Sequence, residues 1–293
     1  MNSLSATPAA RLRAAIAAPD ILVAPGCYDA LSANLIERAG FAAAYLSGAS
    51  IAYTRFGRPD IGLVGMSEVA ETISQIRERV ELPLIVDGDT GFGNALNVQR
   101  TVRLFERSGA SAIQLEDQQM PKRCGHLAGK TLVSAKEMAG KIRAACDARA
   151  DADTVIIGRT DALAVEGIDA ALDRAEHYLE AGADILFVEA LPDVPAMQTA
   201  LARFRGRAPL LANMVEGGRS PLLPAAELQQ LGFALAIFPG AMVRVQTFAA
   251  QRYLETLRRD GTTSALLGEM LNFDALNQLL GTEVWLERGK RYE

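Results

Sequence analysis

The chain has 293 residues, 49% of them hydrophobic and 22% charged. That is enough apolar material for one large packed core, and too much for a globally disordered chain. A formal net charge of −5, with no cluster of Lys and Arg interleaved with aromatics, excludes an electrostatic footprint for nucleic acid. No apolar run approaches the roughly 20 residues that span a bilayer.

Residues 3–16 are rich in Ala and Arg and poor in acids, a composition shared with transit peptides. Leu12 and Ile16, spaced i, i+4, instead predict a first helix that plugs the floor of the domain. Eight short apolar or β-branched runs follow, at residues 21–25, 42–46, 82–86, 111–115, 154–158, 185–188, 210–212 and 235–238. Amphipathic stretches lie between them, among them 31–39, 66–80, 98–108, 135–148, 168–181 and 225–231. Continuously apolar strands, each followed by a helix, belong to a parallel sheet covered on its outer face. Eight such units predict a closed (β/α)8 barrel of the TIM type. Three helix-to-strand junctions use the same device: Gly40, Gly109 and Gly182 each follow a helix closely, where a left-handed residue is favoured. Beyond the eighth run, residues 245–258 read as the last barrel helix, Asp260-Gly261-Thr262-Thr263 as a break, and residues 266–280 as one or two further helices. A closed barrel leaves them no inner place. A single domain over 1–293 is therefore expected, with a helical extension from about residue 260 that packs outside the barrel or against another subunit.

Barrel enzymes carry their chemistry at the C-terminal ends of the strands. Polar residues accumulate there in this chain: Cys27-Tyr28-Asp29, Tyr45-Leu46-Ser47-Gly48, Asp87-Gly88-Asp89-Thr90-Gly91, Glu116-Asp117, Arg159-Thr160-Asp161, Glu189, then Asn213 and Glu216, then Arg244. Carboxylates directly behind buried runs are costly unless a cation relieves them. Capping the next helix accounts for one or two of them, but not for all. Asp87, Asp89 and Glu116 come from adjacent strands, so their carboxylates are expected to converge. Hard oxygen ligands without paired His or Cys point to Mg²⁺, with Mn²⁺ as the other candidate. Mg²⁺ keeps several waters, so Asp87 is expected to bind directly, and Asp89 and Glu116 mostly through water. Gly88, Gly91 and Gly93 predict a tight loop near a ligand, although the spacing matches neither a P-loop nor a dinucleotide fingerprint.

After the fourth strand comes a long loop, Pro121-Lys122-Arg123-Cys124-Gly125-His126-Leu127-Ala128-Gly129-Lys130. A neighbouring Lys, Arg or His⁺ lowers a thiol pKa and prepares it for proton transfer or nucleophilic attack. The glycines permit closure over a reactive intermediate. The plainer reading is an exposed basic loop with an incidental Cys. Cys27 and Cys146 read as small buried hydrophobes, His177 as a surface or packing residue, and Trp285 as packing within the extension. An odd, sparse set of three cysteines argues against a disulfide framework and for a reducing, cytoplasmic setting.

The segment from Pro121 to His126 resembles the catalytic loop of the isocitrate lyase/phosphoenolpyruvate mutase superfamily, in the Cys form of methylisocitrate lyases and related 2-alkylmalate lyases. Asp87-Gly88-Asp89-Thr90-Gly91-Phe92-Gly93-Asn94 resembles the metal loop of that superfamily, and Leu115-Glu116-Asp117, Arg159-Thr160-Asp161-Ala162 and Val188-Glu189-Ala190 fit as well. The resemblance covers nearly the whole chain. It implies an α/β barrel, Mg²⁺, and a homotetramer with exchanged C-terminal helices. Carried over by position, it implies that Tyr45, Ser47, Gly48 and Ala49 cradle a 2-oxoacid, with Ala49 standing where the family often has Gly. It further implies that Asp60 lies near the substrate, that Lys122, Gly125 and His126 of the loop contact it, and that Arg159 binds a substrate carboxylate. By the same resemblance, Glu189, Asn213 and Arg244 are expected to line a distal carboxylate pocket, and Cys124 to act as a general acid.

The reaction so implied is the retro-aldol cleavage of a small 2-hydroxy di- or tricarboxylate to a 2-oxoacid and a second carboxylate. Other chemistries on the same scaffold are carboxyphosphonoenolpyruvate phosphonomutation, which rearranges a P–C bond, and oxaloacetate hydrolysis or decarboxylation. A barrel without catalysis, used for binding, has no reason to keep Asp87, Glu116, Cys124 and Arg159 together.

Overall fold

The computed structural model describes residues 6–293, so residues 3–5 of the predicted first helix lie outside the described residues. The chain divides after Val243 into two compact units. In the first, α1 (Pro8–Ile16) is capped by the Thr7 side chain and starts on Pro8, a residue preorganised for the first helical position. Strands and helices then alternate: β1 (Leu22–Cys27), α2 (Ala30–Arg38), β2 (Ala44–Leu46), α3 (Gly48–Phe56), α4 (Met66–Arg77), β3 (Leu84–Asp87), α5 (Ala95–Ser108). They continue with β4 (Ala112–Glu116), α6 (Ala135–Ala148), β5 (Val155–Thr160), α7 (Leu163–Glu166), α8 (Ile168–Glu180), β6 (Ile185–Val188) and α9 (Val194–Phe204). Next come β7 (Leu211–Asn213), α10 (Ala225–Leu231), β8 (Leu235–Phe238) and the start of α11 (Ala241–Asp260).

All strand pairs are parallel, in the order β6-β5-β4-β3-β2-β1-β8-β7. The ring is closed between β6 and β7 by a parallel bridge from Leu186 to Leu210, where the Leu186 N–H donates to the Pro209 carbonyl at 3.1 Å. The fold is the expected (β/α)8 barrel.

Two buried clusters follow from the two-residue period of the strands. One contains Leu22, Ala24, Tyr45, Ile85, Ala112, Val155, Ile157, Ile185, Phe187, Leu211, Leu235 and Ile237. These fill the barrel interior, and Leu12 of α1, fully buried, joins them from below. The other joins the alternate strand residues, such as Leu46, Val86, Ile113, Ile156 and Leu186, to helix residues such as Ile36, Ile73, Phe105, Ile142 and Phe204. Continuing the inward series upward replaces apolar residues by polar ones: Asp87 after Ile85, Gln114 and Glu116 after Ala112, Arg159 after Ile157, Glu189 after Phe187, Asn213 after Leu211. The register that fills the core also builds the site.

Several strands run past their apolar runs, because Asp87, Glu116, Arg159, Thr160 and Asn213 still belong to the ladder. Hydrophobicity marks the core layers and misses these last inward residues. Gly40, Gly109 and Gly182 have φ of +84°, +109° and +105°, the left-handed helix ends expected of them.

The second unit comprises the rest of α11, a 3₁₀ helix (Ser264–Glu269), α12 (Phe273–Leu280) and α13 (Thr282–Lys290). The first part of the predicted 266–280 helix is thus 3₁₀. Phe248, Leu254, Leu267, Leu271, Phe273 and Leu286 are each more than half exposed. Trp285, expected to pack within the extension, is 63% exposed and carries the Arg288 guanidinium 5.2 Å from its ring centroid. So much exposed apolar surface marks an interaction region. Among the described residues, no helix is long and apolar enough to cross a membrane.

Leu12→Ala should cost about 3 kcal/mol of stability in urea denaturation, because it opens a void under the innermost layer. A loss below about 1 kcal/mol would mean that α1 does not seal the barrel floor.

Candidate active site

The inward polar residues surround a cavity of about 60 Å³. Its lining contains Tyr45, Ser47, Ala49, Asp60, Asp87, Lys122, Cys124, Gly125, His126, Arg159, Glu189 and Asn213, together with Arg123, Val215, Ile237 and Pro239. Most of the residues singled out in the sequence are therefore brought together. Gly48 adjoins them by donating its N–H to Asp87 Oδ2 at 3.3 Å. Asp89 and Glu116 are buried and pair with cavity-lining cations. Arg244 opens the second unit, on α11.

The loop after β3 is held in unusual backbone conformations. Asp89 and Phe92 have φ of +46° and +60°, sparsely populated for residues with side chains and characteristic of functional sites. At Gly88, a Cβ would lie 2.7 Å from the Gln114 carbonyl oxygen, so only glycine lets the loop lie so close to β4. Asp87 Oδ1 accepts from the Asp89 N–H at 3.2 Å and from Gln114 Nε2 at 3.3 Å. The Tyr45 hydroxyl donates to Gln114 Oε1 at 3.1 Å. Gln114 was not among the expected site residues. Its signal was the strand period, two residues before Glu116.

Of the three acids expected to converge, Asp87 and Asp89 both face the main chain at Gly48, and two of the three are paired with cations. Asp89 turns to Lys122, whose Nζ is 2.7 Å away and also 2.6 Å from Asp60. Glu116 turns to Arg159, at 3.3 Å. Among the described residues, no three His, Cys, Asp or Glu side chains form a group that holds a metal ion by itself. Each acid has been drawn to the nearest buried cation, because an unpaired buried charge is the costlier arrangement. A hydrated hard cation nevertheless suits the donor set. Asp87 lines the cavity, the neighbouring ligand atoms are oxygen, and Glu116 Oε1 is buried without a hydrogen-bond partner. Burial pushes the Asp89 and Glu116 carboxyls up, overriding Lys122 and Arg159 respectively, and nearby positive charge counters that.

Arg159 is the hub of the opposite wall. Its guanidinium lies 5.1 Å from the Phe187 ring centroid. It donates to Asp161 through Nε at 2.9 Å and Nη2 at 3.2 Å, and pairs with Glu189 at 3.2 Å. Asn213 Nδ2 donates to Glu189 Oε2 at 3.1 Å. His126 Nδ1 accepts from the Arg219 N–H at 3.0 Å, which leaves Nε2 to carry the ring proton, 3.4 Å from Glu189 Oε1. Burial pulls the His126 pKa down, so the ring is neutral near pH 7. Two of the strand-end acids are structural. Asp117 accepts from the hydroxyls of Thr160 and Tyr178, both at 2.7 Å, and from the Asp161 N–H at 2.9 Å. Asp29 caps α2.

Cys124 sits half-buried on the loop above. Its N–H donates to the Asp60 carbonyl at 3.3 Å, and the preceding residue, Arg123, is gripped by the Gln118 amide at both N and O, each at 2.9 Å. The expected lowering of its pKa does not occur. Burial pushes the thiol up, and this outweighs the His126 backbone N–H and Arg159. The group is held protonated, which suits an acid rather than a resting nucleophile.

A family model described as phosphoenolpyruvate phosphomutase matches residues 12–258. The chain belongs to the phosphoenolpyruvate mutase/isocitrate lyase superfamily. It is 45% identical over 277 residues to 2,3-dimethylmalate lyase of Eubacterium barkeri, covering 94% of each chain. It is 46% identical over 274 residues to a 2-methylisocitrate lyase of Aeropyrum pernix, covering 94% of this chain and 87% of that one. Among solved structures, it superposes on a crystal structure of 2,3-dimethylmalate lyase with a TM-score of 0.92 at 36% identity, covering 98% of this chain and 96% of that one. A phosphonopyruvate hydrolase in complex with oxalate and Mg²⁺ matches with a TM-score of 0.88 at 32% identity, covering 98% and 99%.

In this member of the superfamily, Gly125 places main chain directly against the charged wall. A Cβ there would lie 2.4 Å from Arg159 Nη2 and 2.7 Å from Glu189 Cγ. Gly125→Ala should leave thermal unfolding nearly unchanged while displacing the loop or the guanidinium. Binding of small dicarboxylates, measured by calorimetry, should weaken at least tenfold, since a displaced charged contact is worth about 1.5–3 kcal/mol. Unchanged affinity would mean that the loop is not seated on Arg159 when the site is filled.

Proposed function

We propose that the protein is a Mg²⁺-dependent carbon–carbon lyase acting on a 2-hydroxy di- or tricarboxylate of the 2-alkylmalate or 2-methylisocitrate type. Its products are a 2-oxoacid such as pyruvate and a second carboxylate. The observation that carries this reading is a half-buried thiol, its pKa pushed up by burial, on a loop over a cavity walled by Arg159 and floored by carboxylates.

Asp87, with Asp89 and Glu116 reaching through water, would hold the ion. Its contribution when bound is to polarise the oxygen on C2 and to stabilise its negative charge. The carboxylate beside C2 is placed at the start of α3. The N–H of Ala49 is one of the four that a helix leaves without an internal partner. Ser47 accepts from the Ser50 N–H at 3.2 Å as the cap, which leaves its own hydroxyl proton free to donate. Tyr45, fixed by Gln114, closes that side. Asp60 holds Lys122 at the cavity, and Arg159, Asn213, Gly125 and His126 receive the far carboxylate, with Glu189 orienting them.

The C2 hydroxyl gives its proton to water, the O–H electron pair becomes the second bond of a carbonyl, and the adjacent C–C bond breaks. The departing fragment takes that bond's electron pair as a carboxylate-stabilised carbanion beside positive charge. Cys124 gives it the S–H proton and is reprotonated by solvent when the loop opens. A phosphonate rearrangement produces no carbanion that needs this proton.

The exposed apolar residues of Arg244–Glu293 are read as part of the same domain, covered in a homotetramer by exchanged helices. The low, unpaired cysteine content fits the cytoplasm.

The assay that tests this measures 2-oxoacid release from 2-methylisocitrate, isocitrate, 2,3-dimethylmalate, 2-methylmalate and oxaloacetate, with Mg²⁺ and with EDTA. Release from a 2-hydroxy acid that EDTA abolishes is expected. Silence across the panel from folded, Mg²⁺-supplied protein would overturn the lyase in favour of P–C rearrangement or another acid.

The pH profile tests Cys124. The active form is the thiol, so kcat should hold below its pKa and fall as pH rises through it. Burial places that alkaline limb above the ordinary thiol value of about 8.5. Cys124→Ser should reduce kcat by about 10²–10⁴-fold and remove the limb. A limb that persists in the variant would assign it to another group.

A further inference from the structure

Lys130 takes no part in the chemistry above, yet its side chain is only 2% exposed. It closes the loop that carries Cys124. Its ammonium donates to the Gly125 carbonyl and, at 2.9 Å, to Asp161 Oδ1. The same carboxylate oxygen accepts from Arg159 Nη2 at 3.2 Å, and its other oxygen accepts from Arg159 Nε at 2.9 Å. One buried ammonium therefore ties the residue after Cys124 to the carboxylate that aims Arg159. Gly125 is also the point where the loop's main chain lies directly against that guanidinium.

The fold does not require this reach. Asp161 is already satisfied by Arg159, and the loop has its own tether where Gln118 grips Arg123. A lysine buried for packing alone would face the desolvation cost of its charge with nothing gained. We infer that Lys130 is a positioning residue, a latch that holds the Cys124 loop closed and joins closure to the alignment of Arg159. Lifting the loop withdraws the ammonium from Gly125 and Asp161 in one motion. With the loop down, the thiol and the guanidinium are fixed on the same frame. The kinetic part of this inference rests on the lyase reading, and the structural part does not.

The test uses the full-length protein and the variant Lys130→Met, which keeps the apolar stem and removes the charge. Asp161 retains Arg159 in that variant, so the fold has no stranded acid. Cys124 alkylation by iodoacetamide is followed by peptide mass mapping, with half-buried Cys146 on α6 as the reference in the same chain. Loss of the charge-assisted contacts should raise the Cys124 rate relative to Cys146 about ten- to a hundredfold. The direction is diagnostic. Removing a nearby cation by itself makes a thiolate scarcer and slows alkylation, so a faster rate reports an opened loop. Lys130→Arg should restore part of the protection. On the substrate found by the panel, kcat should fall at least tenfold in Lys130→Met, and KM should move less.

An unchanged Cys124 to Cys146 ratio, in a variant with the parental melting temperature, would overturn the latch. If Lys130→Met does not fold, Lys130→Gln carries the same measurement and the same two outcomes. The alkylation ratio decides the latch even if every substrate in the panel is inert, so the latch and the lyase fail separately.

Discussion

The structure turns on a surplus of buried negative charge at one end of a barrel. Asp60, Asp87, Asp89, Glu116, Asp161 and Glu189 lie around Lys122, Lys130 and Arg159, and all nine are at least nine-tenths buried. The six acids outnumber these three buried cations. In a poorly solvated site such a surplus is relieved by taking up protons or by binding a cation. The raised carboxyls of Asp89 and Glu116 report the first route. A divalent ion offers the second, and would leave a site able to receive a carboxylate substrate. The arrangement is a poor device for stability, since apolar residues of similar size generally serve a core as well or better. Its retention at the mouth of the barrel makes sense through chemistry.

How much of this was legible follows from period and position. The apolar runs located every strand, since most strands are buried on both faces. The polar residues just past each apolar run then named Asp87, Glu116, Arg159, Glu189 and Asn213. The glycines at helix ends, Gly40, Gly109 and Gly182, were legible because only φ matters there. Helix α3 was less visible. It is short, begins Gly-Ala-Ser and depends on Ser47 as its cap, so no long amphipathic pattern announces it.

What sequence did not show was the choice of partners. Chain position says that Asp87, Asp89 and Glu116 are near one another, but not that Lys122 and Arg159 would draw two of them aside. It says that Cys124 has basic neighbours, but not that they would be spent on carboxylates. Lys122 is bound to Asp60 and Asp89, Lys130 to Asp161, and Arg123 directs a guanidinium nitrogen to the Ala128 carbonyl. Once those charges are committed, the thiol experiences burial more than cations, and its pKa moves in the opposite direction to that expected from composition. Gln114 belongs to the same class of omission. An amide between two apolar residues looks like an interruption of a strand until the register brings its two ends to Tyr45 and Asp87.

The committed cations also explain how one scaffold hosts several reactions. In the proposed function the floor around Asp87 and the wall around Arg159 receive an oxoacid and a second anionic group, and neither selects which bond between them breaks. That selection falls to whatever the loop delivers. In this chain it delivers a thiol whose pKa burial pushes up, anchored at Arg123 by Gln118 and at Gly125 by Lys130. A group that gives a proton is useful only where a bond cleaves to leave electrons on carbon. In the proposed function it is therefore Cys124, its pKa raised by burial against its basic neighbours, that inclines an anion-binding barrel toward carbon–carbon cleavage.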